Sequence, residues 1–283
     1  AGETGFCRLS DRILLDCALA HHGEEPPLSG SGGAGTIFLS SCNLRCLYCQ
    51  NHQISHRAKG DFVTPKNLAR IMLDLQNQGC HNIEFVTPTP QLPGIVEALC
   101  IARTEGLTLP LVYNCGGYES PETIRLLDGL VDIYLPDFKY GRNEEGRILS
   151  GADDYPRFAL QSLREMVRQR GDVLETEGGI ARRGVLVRHL VLPGKMENSK
   201  SVLDLIRRHL SLSVPLSLMS QYTPMPKVRR HPCLGRRLTR DEYRDLIEYA
   251  LDLGFEHLFV QEVDERSCMP DFEKEAPFQW EKP

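Results

Sequence analysis

The sequence has no long hydrophobic run and no excess of basic residues. Its longest apolar stretches, such as residues 37–39 and 184–187, fall far short of the roughly 20 residues that a transmembrane helix needs. The chain has 33 Lys and Arg against 38 Asp and Glu, which gives a formal net charge of -5. Nucleic acids and anionic membranes call for a basic protein face. We therefore expect neither nucleic acid nor membrane as a partner.

The cysteine content predicts a reducing compartment. The sequence begins at Ala1, and residues 1–5 lack the basic and then apolar pattern of a signal peptide, so we expect the natural start to have been trimmed. Ten cysteines in 283 residues are too sparse for a secreted disulfide scaffold, so we predict a reducing, cytoplasmic location. Most of these cysteines are scattered, and several lie in apolar stretches, which is typical of small core residues.

Strand and helix patterns alternate along most of the chain. Seven apolar segments are predicted strands, namely residues 36–40, 82–87, 109–114, 131–135, 184–192, 216–221 and 258–263. Predicted helices begin at the N-cap pairs Thr64-Pro65 and Ser120-Pro121 and at a capping box, Thr239-Arg-Asp-Glu242. Further helices are predicted at residues 92–104, 155–170 and 199–210.

This alternation predicts an α/β fold. Parallel strands joined by right-handed helical crossovers form one sheet, and a sheet of seven strands can curl into a partial or full parallel (β/α) barrel. We expect an N-terminal leader at residues 1–34 with a short helix at 9–19. The barrel is predicted at residues 35–263 with a mobile loop at 142–154, followed by a C-terminal tail at 264–283. No shift of composition marks a second domain.

Polar side chains cluster where the predicted strands end. In parallel barrels the active site forms at the carboxyl ends of the strands. The candidates at these ends include Thr87, Thr89, Asn114, Asp137, Lys139, Arg188 and Gln221. Asp137 and Lys139 alternate along the chain and so face the same way. Arg188 and His189 face opposite ways, so at most one of them is directed inward.

Three cysteines lie within eight residues, in the run Cys42-Asn-Leu-Arg-Cys46-Leu-Tyr-Cys49. No packing rule for a strand or a helix calls for this spacing, whereas thiolates are the usual ligands of iron-sulfur centres. A four-iron cubane normally takes four thiolates, so three leave one iron free to bind a substrate or cofactor. The alternative is zinc, which prefers four ligands and would have to recruit His52 or His56.

The motif and its surroundings resemble the radical S-adenosylmethionine (SAM) enzymes. The run Gly35-Thr-Ile-Phe-Leu-Ser-Ser-Cys42-Asn-Leu-Arg-Cys46-Leu-Tyr-Cys49-Gln-Asn51 is similar to the CxxxCxxC signature of that family. Within the family, nearly the whole chain resembles the pyruvate formate-lyase activating enzyme branch. The segments that carry this likeness are Thr87-Pro-Thr-Pro90, Tyr134-Leu-Pro-Asp-Phe-Lys139, Arg188-His-Leu-Val-Leu-Pro-Gly194 and Ser220-Gln-Tyr-Thr-Pro224.

The resemblance implies the cofactors and the reaction. Cys42, Cys46 and Cys49 would hold a [4Fe-4S] cluster whose free iron binds SAM. One electron from a donor such as flavodoxin or ferredoxin would split SAM into methionine and a 5′-deoxyadenosyl radical for hydrogen abstraction. The branch favours a protein or peptide substrate of glycyl type, and a small-molecule metabolite is the alternative. A non-catalytic iron-sulfur or zinc module is a third hypothesis, for which a fourth close ligand is expected.

The resemblance also implies where SAM would bind. Tyr48 matches the aromatic residue near the adenine, although packing of the loop is an equal interpretation for a tyrosine. Thr87-Pro-Thr-Pro90 stands where many relatives have a Gly-Gly-Glu-Pro element that holds the methionine amino group. Thr89 replaces the acid, so oxygen atoms of the backbone or of Thr87 and Thr89 would serve instead. Asn114 aligns with a polar residue on the ribose side, and Gln221 is a further candidate for cofactor binding.

The remaining candidates are charged. Asp137 and Lys139 match an Asp-x-Lys element of the activating enzymes, which implies a paired role near the cofactor or substrate. The alternative for this pair is a surface salt bridge of little energetic value. Arg188 is the better inward candidate of its strand, because a guanidinium suits recognition of a carboxylate.

Overall fold

The computed structural model describes residues 5–263 and 269–278. The strands in these residues are β1 (Ile13–His21), β2 (Ala34–Leu39), β3 (Asp61–Val63), β4 (Ile83–Val86), β5 (Leu111–Cys115), β6 (Ile133–Pro136), β7 (Glu175–Glu177), β8 (Ile180–Val185), β9 (Val187–Leu190), β10 (Leu216–Met219) and β11 (Leu258–Val260).

The α-helices lie mainly between these strands. They are α1 (Pro26–Ser29), α2 (His52–Ser55), α3 (Pro65–Asn77), α4 (Leu92–Thr104), α5 (Pro121–Leu126), α6 (Asn143–Ser150), α7 (Tyr155–Arg170), α8 (Met196–His209) and α9 (Arg240–Asp252). Short 3₁₀ turns occupy Thr89–Gln91 and Pro226–Val228. Within the described part of the chain, no helix is both long and apolar enough to cross a membrane.

Parallel strands form one curved wall through the molecule. The larger sheet has the order β3-β1-β2-β4-β5-β6-β8-β7, and a second sheet has the order β11-β10-β9. Strands β2, β4, β5, β6 and β8 pair in parallel, and so do β9, β10 and β11. A bridge between Asp137 and Arg188 joins the end of β6 to β9. The two sheets therefore continue each other.

The wall does not close into a full barrel. Strand β1 lies beside β2 and runs antiparallel both to it and to β3. Among the described residues, β11 pairs only with β10. The predicted α/β fold is confirmed, and of the two barrel forms the structure has the partial one.

The seven predicted strands coincide with strands of the parallel wall. The predicted strand at residues 184–192 is in fact two, β8 and β9, which meet at Leu186. The Leu186 N–H still donates to Tyr134 in β6, whereas the Val187 N–H donates to Pro215 next to β10. The chain thus changes partner strand at this point, and the strand is interrupted for that reason.

The predicted short helix at residues 9–19 is wrong, because Ile13–His21 form β1. The leucines at positions 14, 15 and 19 imitate a helical spacing. In the structure Leu14 lies opposite Phe62 of β3, and Leu15 lies opposite Leu39 of β2. Pairing on both edges satisfies the backbone hydrogen-bonding groups of β1. A local sequence pattern cannot reveal partner strands that are distant in the chain.

The predicted mobile loop at residues 142–154 is also wrong, because it contains the helix α6. Acidic residues Glu144 and Glu145 occupy the first turn, where they complement the helix dipole. Leu149 is buried against the core, and Gly151 ends the helix in a left-handed conformation with a φ of 71°. The charged, glycine-containing composition therefore belongs to an amphipathic helix with its caps.

Local caps fix the helices that flank the wall. The Thr64 side chain accepts the N–H of Asn67 at the start of α3, and Pro65 occupies the first turn. The predicted capping box opens α9: Thr239 and Glu242 each bond the backbone of the other. These helices bury one face each and leave the ends of the strands exposed to the interior of the barrel.

The interior of the barrel is apolar at its lower end. Leu28 of α1 reaches in from below and packs against inward-facing side chains of the wall: Val112, Ile133, Leu135, Ala181 and Leu186. Full burial of such a side chain typically stabilises a fold by about 1.5–3 kcal/mol. Side chains two positions apart on a strand face the same way, so Asn114 follows Val112 and Arg188 follows Leu186 on the inward face. Polar groups therefore gather above the apolar floor.

Candidate active site

A cavity of about 510 Å³ lies at the carboxyl ends of the parallel strands. This volume is within the usual range for a small-ligand site, about 300–1,000 Å³. Ten of the eleven residues predicted from the sequence line it: Cys42, Cys46, Tyr48, Cys49, Thr87, Asn114, Asp137, Lys139, Arg188 and Gln221. Thr89 does not line this cavity.

The loop that carries the cysteines follows β2 and is held by the end of α6. The N–H groups of Arg45 and Leu47 donate to the carbonyls of Ser150 and Leu149, at 3.2 and 2.8 Å. Leu44 is buried in the core beneath the loop. The helix that sequence patterns did not predict thus fixes the loop in place.

Each cysteine sulfur of the motif has a hydrogen-bonding partner. The Leu44 N–H donates to Cys42 Sγ at 3.3 Å, and the Ser150 hydroxyl donates to Cys46 Sγ at 2.9 Å. Cys49 Sγ lies 3.2 Å from the hydroxyl of Ser55. All three thiols are free. The groups that donate to Cys42 and Cys46 favour the thiolate form of these residues, which is the form that binds metals.

Asp137 and Lys139 form an ion pair in the wall of the cavity. The N–H of Lys139 donates to the Tyr155 hydroxyl at 2.8 Å, and that hydroxyl contacts the carbonyls of Gly116 and Asp137 at 2.8 and 2.9 Å. Gly117 has a φ of 76°, and a Cβ there would collide with the Asp137 carbonyl. Burial alone lowers the pKa of Lys139, but the Asp137 charge raises it well above its ordinary value, so the ammonium stays charged.

Arg188 lies in the cavity wall, but two carboxylates of the same chain hold its guanidinium. It pairs with Glu24 and Glu25, which belong to the loop between β1 and α1. Its Nε–H donates to Glu25 at 2.9 Å. Burial alone raises the pKa of Glu25, but the charge of Arg188 outweighs it and lowers that pKa. A ligand carboxylate can therefore reach Arg188 only by displacing Glu24 or Glu25.

His189 points away from the cavity, opposite to Arg188. Its two ring nitrogens lie 2.7 Å from the Phe138 carbonyl and 2.8 Å from the Ser199 hydroxyl. Burial lowers the pKa of His189 to about 4, so the ring is neutral near pH 7. His189 thus anchors the backbone of Phe138, between the two members of the Asp137–Lys139 pair.

Asn114 binds a buried acid that the sequence patterns did not single out. Its side-chain amide donates to Glu84 Oε1 at 2.6 Å. Glu84 is inaccessible to solvent within β4, and burial, aided by the charge of Glu24, raises its pKa to about 8. A charged residue inside the apolar run Ile83–Val86 was a usable signal, because buried acids are rare unless they are partnered.

The two threonines after β4 differ in position. Thr87 lines the cavity with a φ of 58°, which is unusual for a β-branched residue, and its N–H donates to the Asn114 carbonyl at 2.8 Å. The Thr89 hydroxyl donates instead to the buried carboxylate of Glu119 at 2.8 Å. Burial raises the pKa of Glu119 to about 7. Glu119 follows strand β5 within a few residues, so its position after a strand end was the signal available for it.

Tyr48 and Gln221 lie on the upper part of the cavity. Tyr48 is buried, and its hydroxyl donates to the hydroxyl of Tyr140 at 2.7 Å. The Gln50 side chain donates to the Gln221 carbonyl at 2.9 Å, which joins the cysteine loop to the segment after β10. The Gln221 residue itself is exposed at the rim.

The sequence model of the Radical SAM superfamily matches residues 36–206, a span that includes the three motif cysteines. The chain belongs to the Radical SAM superfamily. The family predicted from the cysteine motif is therefore confirmed, and the protein is a radical SAM enzyme. Assignment to the activating-enzyme branch stays a prediction.

Three known proteins are similar to this radical SAM enzyme in sequence or in fold. The chain is 31% identical over 268 residues to the protein MJ0674 of Methanocaldococcus jannaschii. The aligned region covers 90% of this chain and 72% of MJ0674. The fold is similar to SuiB of Streptococcus suis bound to the precursor peptide SuiA, with a TM-score of 0.55 and 12% identity over 78% of this chain. The match spans 47% of SuiB, about half its length. It is also similar to methylornithine synthase (PylB), with a TM-score of 0.51 and 17% identity over 80% of this chain and 63% of PylB.

Radical SAM enzymes bind SAM and a [4Fe-4S] cluster, and these two cofactors, predicted from the motif, are those of this enzyme. The donor set fits them, because a cubane binds each thiolate at a separate iron. Burial raises the pKa of Cys42 to about 12 and that of Cys49 to about 11, while nearby Lys139 acts in the opposite direction. No group of three Cys, His, Asp or Glu within residues 5–263 and 269–278 is arranged to hold a single metal ion. The zinc alternative needs such a group and therefore has no support among the described residues.

Proposed function

We propose that this radical SAM enzyme holds its cluster with Cys42, Cys46 and Cys49 and abstracts hydrogen from a glycyl-type site in a protein or peptide. The observation that carries the proposal is that the three hydrogen-bonded thiols and the Asp137–Lys139 pair line one cavity. Together the bound cluster and SAM would supply reductive cleavage of the sulfonium to a carbon radical. The protein supplies binding, orientation and exclusion of water.

Different residues of the cavity suit different parts of SAM. Lys139 presents an ammonium group that suits the carboxylate of SAM; Asp137 pairs with this ammonium, and Tyr155 accepts the backbone N–H of Lys139. The Tyr48 ring forms part of the wall and offers an apolar face for the adenine. Asn114 is oriented by Glu84, so its free carbonyl oxygen is available on the ribose side.

Arg188 acts in this proposal as a positioning residue. Its two ion pairs join the loop between β1 and α1 to β9 at the side of the cavity. The loop then closes the lower part of the site, together with His21 and Phe38. Closure on this side keeps water from the reacting atoms, which a radical reaction requires.

An unpaired strand edge supports a peptide as the substrate. Among the described residues β11 has one neighbouring strand, and its Phe259 and Val260 line the cavity beside Gln261. An extended peptide can pair with such an edge through its main chain and place one residue in the cavity. SuiB, which shares the fold, is a protein described with a bound precursor peptide.

We also place the reaction in the reducing cytoplasm, with flavodoxin or ferredoxin as the electron donor. The nine described cysteines are free thiols. A reducing compartment preserves both these thiols and a cluster that must accept an electron.

Transfer of deuterium tests the choice of substrate. Anaerobic, reconstituted enzyme with SAM and dithionite is mixed with an extract of cells grown on deuterated medium, separated by size into proteins and small molecules. We expect deuterium to enter 5′-deoxyadenosine from the protein fraction, and an EPR doublet to appear when a candidate glycyl-radical protein is added. The variant Cys46→Ala is the control. Deuterium from the small-molecule fraction alone would overturn the protein substrate in favour of a metabolite.

A further inference from the structure

The segment that follows β10 and runs to the first residue of α9, Arg240, is unusually basic. Residues 222–240 contain six Lys or Arg and no Asp or Glu, in a chain whose net charge is -5. We call residues 222–240 the basic segment. A local concentration of one charge in a chain of opposite sign is typical of a surface that attracts an oppositely charged partner.

Three cations of the basic segment are available to a partner. Lys227, Arg229 and Arg230 are exposed, and none of them forms a salt bridge with the residues that the structure describes. Arg236, in contrast, is held by Glu242. Unneutralised charges on an exposed surface are the ones that steer an approaching protein.

The basic segment packs against the cysteine loop. Tyr222, at its start, lies with its ring 6.3 Å from that of Tyr48 and donates its hydroxyl to Leu234 at 2.7 Å. The Gln50 side chain donates to the carbonyl of Gln221, the residue just before the segment. The start of the basic segment therefore lies beside the cysteine loop.

The charge of Lys227, in the basic segment, also acts at the end of α2. Burial lowers the pKa of His56 to about 4, and the charges of Lys227 and Arg45 add to this effect, so both cations are near His56. His56 follows α2 directly, and Ser55, the last residue of α2, lies 3.2 Å from Cys49 Sγ. Lys227 is therefore near the end of α2, the helix whose Ser55 contacts Cys49.

We propose that the basic segment is the docking surface of a small acidic protein that donates one electron. This inference rests on the proposed function, which needs such an electron, and it places the donor's contact at Lys227, Arg229 and Arg230. The donor is oxidised by one electron, which is consumed in the cleavage of SAM, and no bond forms between the two proteins. Complementary charge raises the rate of encounter more than the final affinity.

Two neighbouring arginines elsewhere provide a matched control. Arg207 and Arg208 on α8 are also exposed, adjacent and without a salt bridge to a described residue. The test pair Arg229→Gln and Arg230→Gln removes the same charge from the chain as the control pair Arg207→Gln and Arg208→Gln. Any difference in rate between the two double variants therefore depends on where the charges lie, because the change in net charge is the same.

Cleavage of SAM is measured with each variant under two reductants, dithionite and enzymatically reduced flavodoxin, at low and high salt. With flavodoxin at low salt, we expect the test pair to be about tenfold slower than the wild type or more, and the control pair to match the wild type. The difference should shrink at high salt because exposed charges are screened. With dithionite, all three proteins should react at the same rate.

The outcomes separate the two proposals. If dithionite gives no cleavage in the wild type, the proposed function fails whatever flavodoxin does. If dithionite works and the test pair still accepts electrons from flavodoxin at the wild-type rate, the docking surface is refuted. Binding of a short RNA that is lost in the test pair, with unchanged flavodoxin-driven cleavage, would also overturn it and assign the segment to nucleic acid.

Discussion

At the scale of single residues, the three motif thiols are prepared for a cluster by groups of their own chain. Each sulfur faces one N–H or O–H group, from Leu44, Ser150 or Ser55. Hydrogen bonds to ligand sulfurs and solvent exposure are among the factors that set the reduction potential of an iron-sulfur cluster. Two of these groups belong to helices at the edge of the loop, so the surroundings of the thiols depend on tertiary structure.

Replacing Cys46 by Ala is expected to abolish the cluster. Ser150 loses its acceptor, and two thiolates are too few to retain a cubane against exchange. Iron, sulfide and visible absorbance per chain after anaerobic reconstitution should fall close to zero. The control Cys100→Ala, at an exposed cysteine of α4, should retain all three. Full iron content in Cys46→Ala would show that Cys46 is not a ligand.

At the scale of elements, caps and electrostatics fix where helices begin. Glu242 at the start of α9 accepts the N–H groups of Thr239 and Gly194 and pairs with Arg236. The hydrogen bonds from Arg236 are the largest of the effects that lower the pKa of Glu242 to about 2, against the opposing effect of burial. The carboxylate therefore stabilises the fold only while it is ionised.

Glu242→Ala should lower the free energy of unfolding by about 1 kcal/mol at pH 7, as expected for a lost helix cap. Because the folded-state pKa is depressed, the contribution of Glu242 is complete above the unfolded pKa, about 4.3. It is lost as the pH falls from there to about 2. Urea unfolding at pH 7 and at pH 3 measures this. If the free energies of unfolding of variant and wild type differed by the same amount at pH 7 and at pH 3, the assigned ion pair would be contradicted.

Sequence patterns predicted the elements whose signals are local. The bounds predicted for α4 and α7 coincide with the structure, because periodicity and first-turn prolines lie within each helix. The bounds of β1 depend on two partner strands, and α6 depends on burial of Leu149, so neither could be recognised from composition. The cysteine motif is likewise local and was recognisable.

At the scale of the whole molecule, the site draws on residues that are distant in sequence. Glu25 and Arg188 are separated by 163 positions and meet beside the cavity. No spacing rule connects them, which explains why Arg188 was predicted to face a ligand instead of Glu24 and Glu25. Thr89 is similar, since its hydroxyl is taken by Glu119, 30 positions away.

Arg188→Met should destabilise the enzyme strongly. The substitution leaves Glu24 and Glu25 buried without their cation, and breaking a buried pair in this way typically costs about 3–5 kcal/mol. Urea denaturation of the anaerobic enzyme measures the loss. The same replacement at Arg168, an exposed residue that pairs with the exposed Asp128 and the partly buried Glu165, should cost much less. Equal effects at the two sites would show that Glu24 and Glu25 do not depend on Arg188.

The most direct measurement of the central claim is quantification of 5′-deoxyadenosine. Reconstituted enzyme, with SAM and dithionite under anaerobic conditions, should produce 5′-deoxyadenosine and methionine in equal amounts, and Cys46→Ala should produce neither. Absence of both products from a wild-type enzyme that contains its full complement of iron and sulfide would contradict the account.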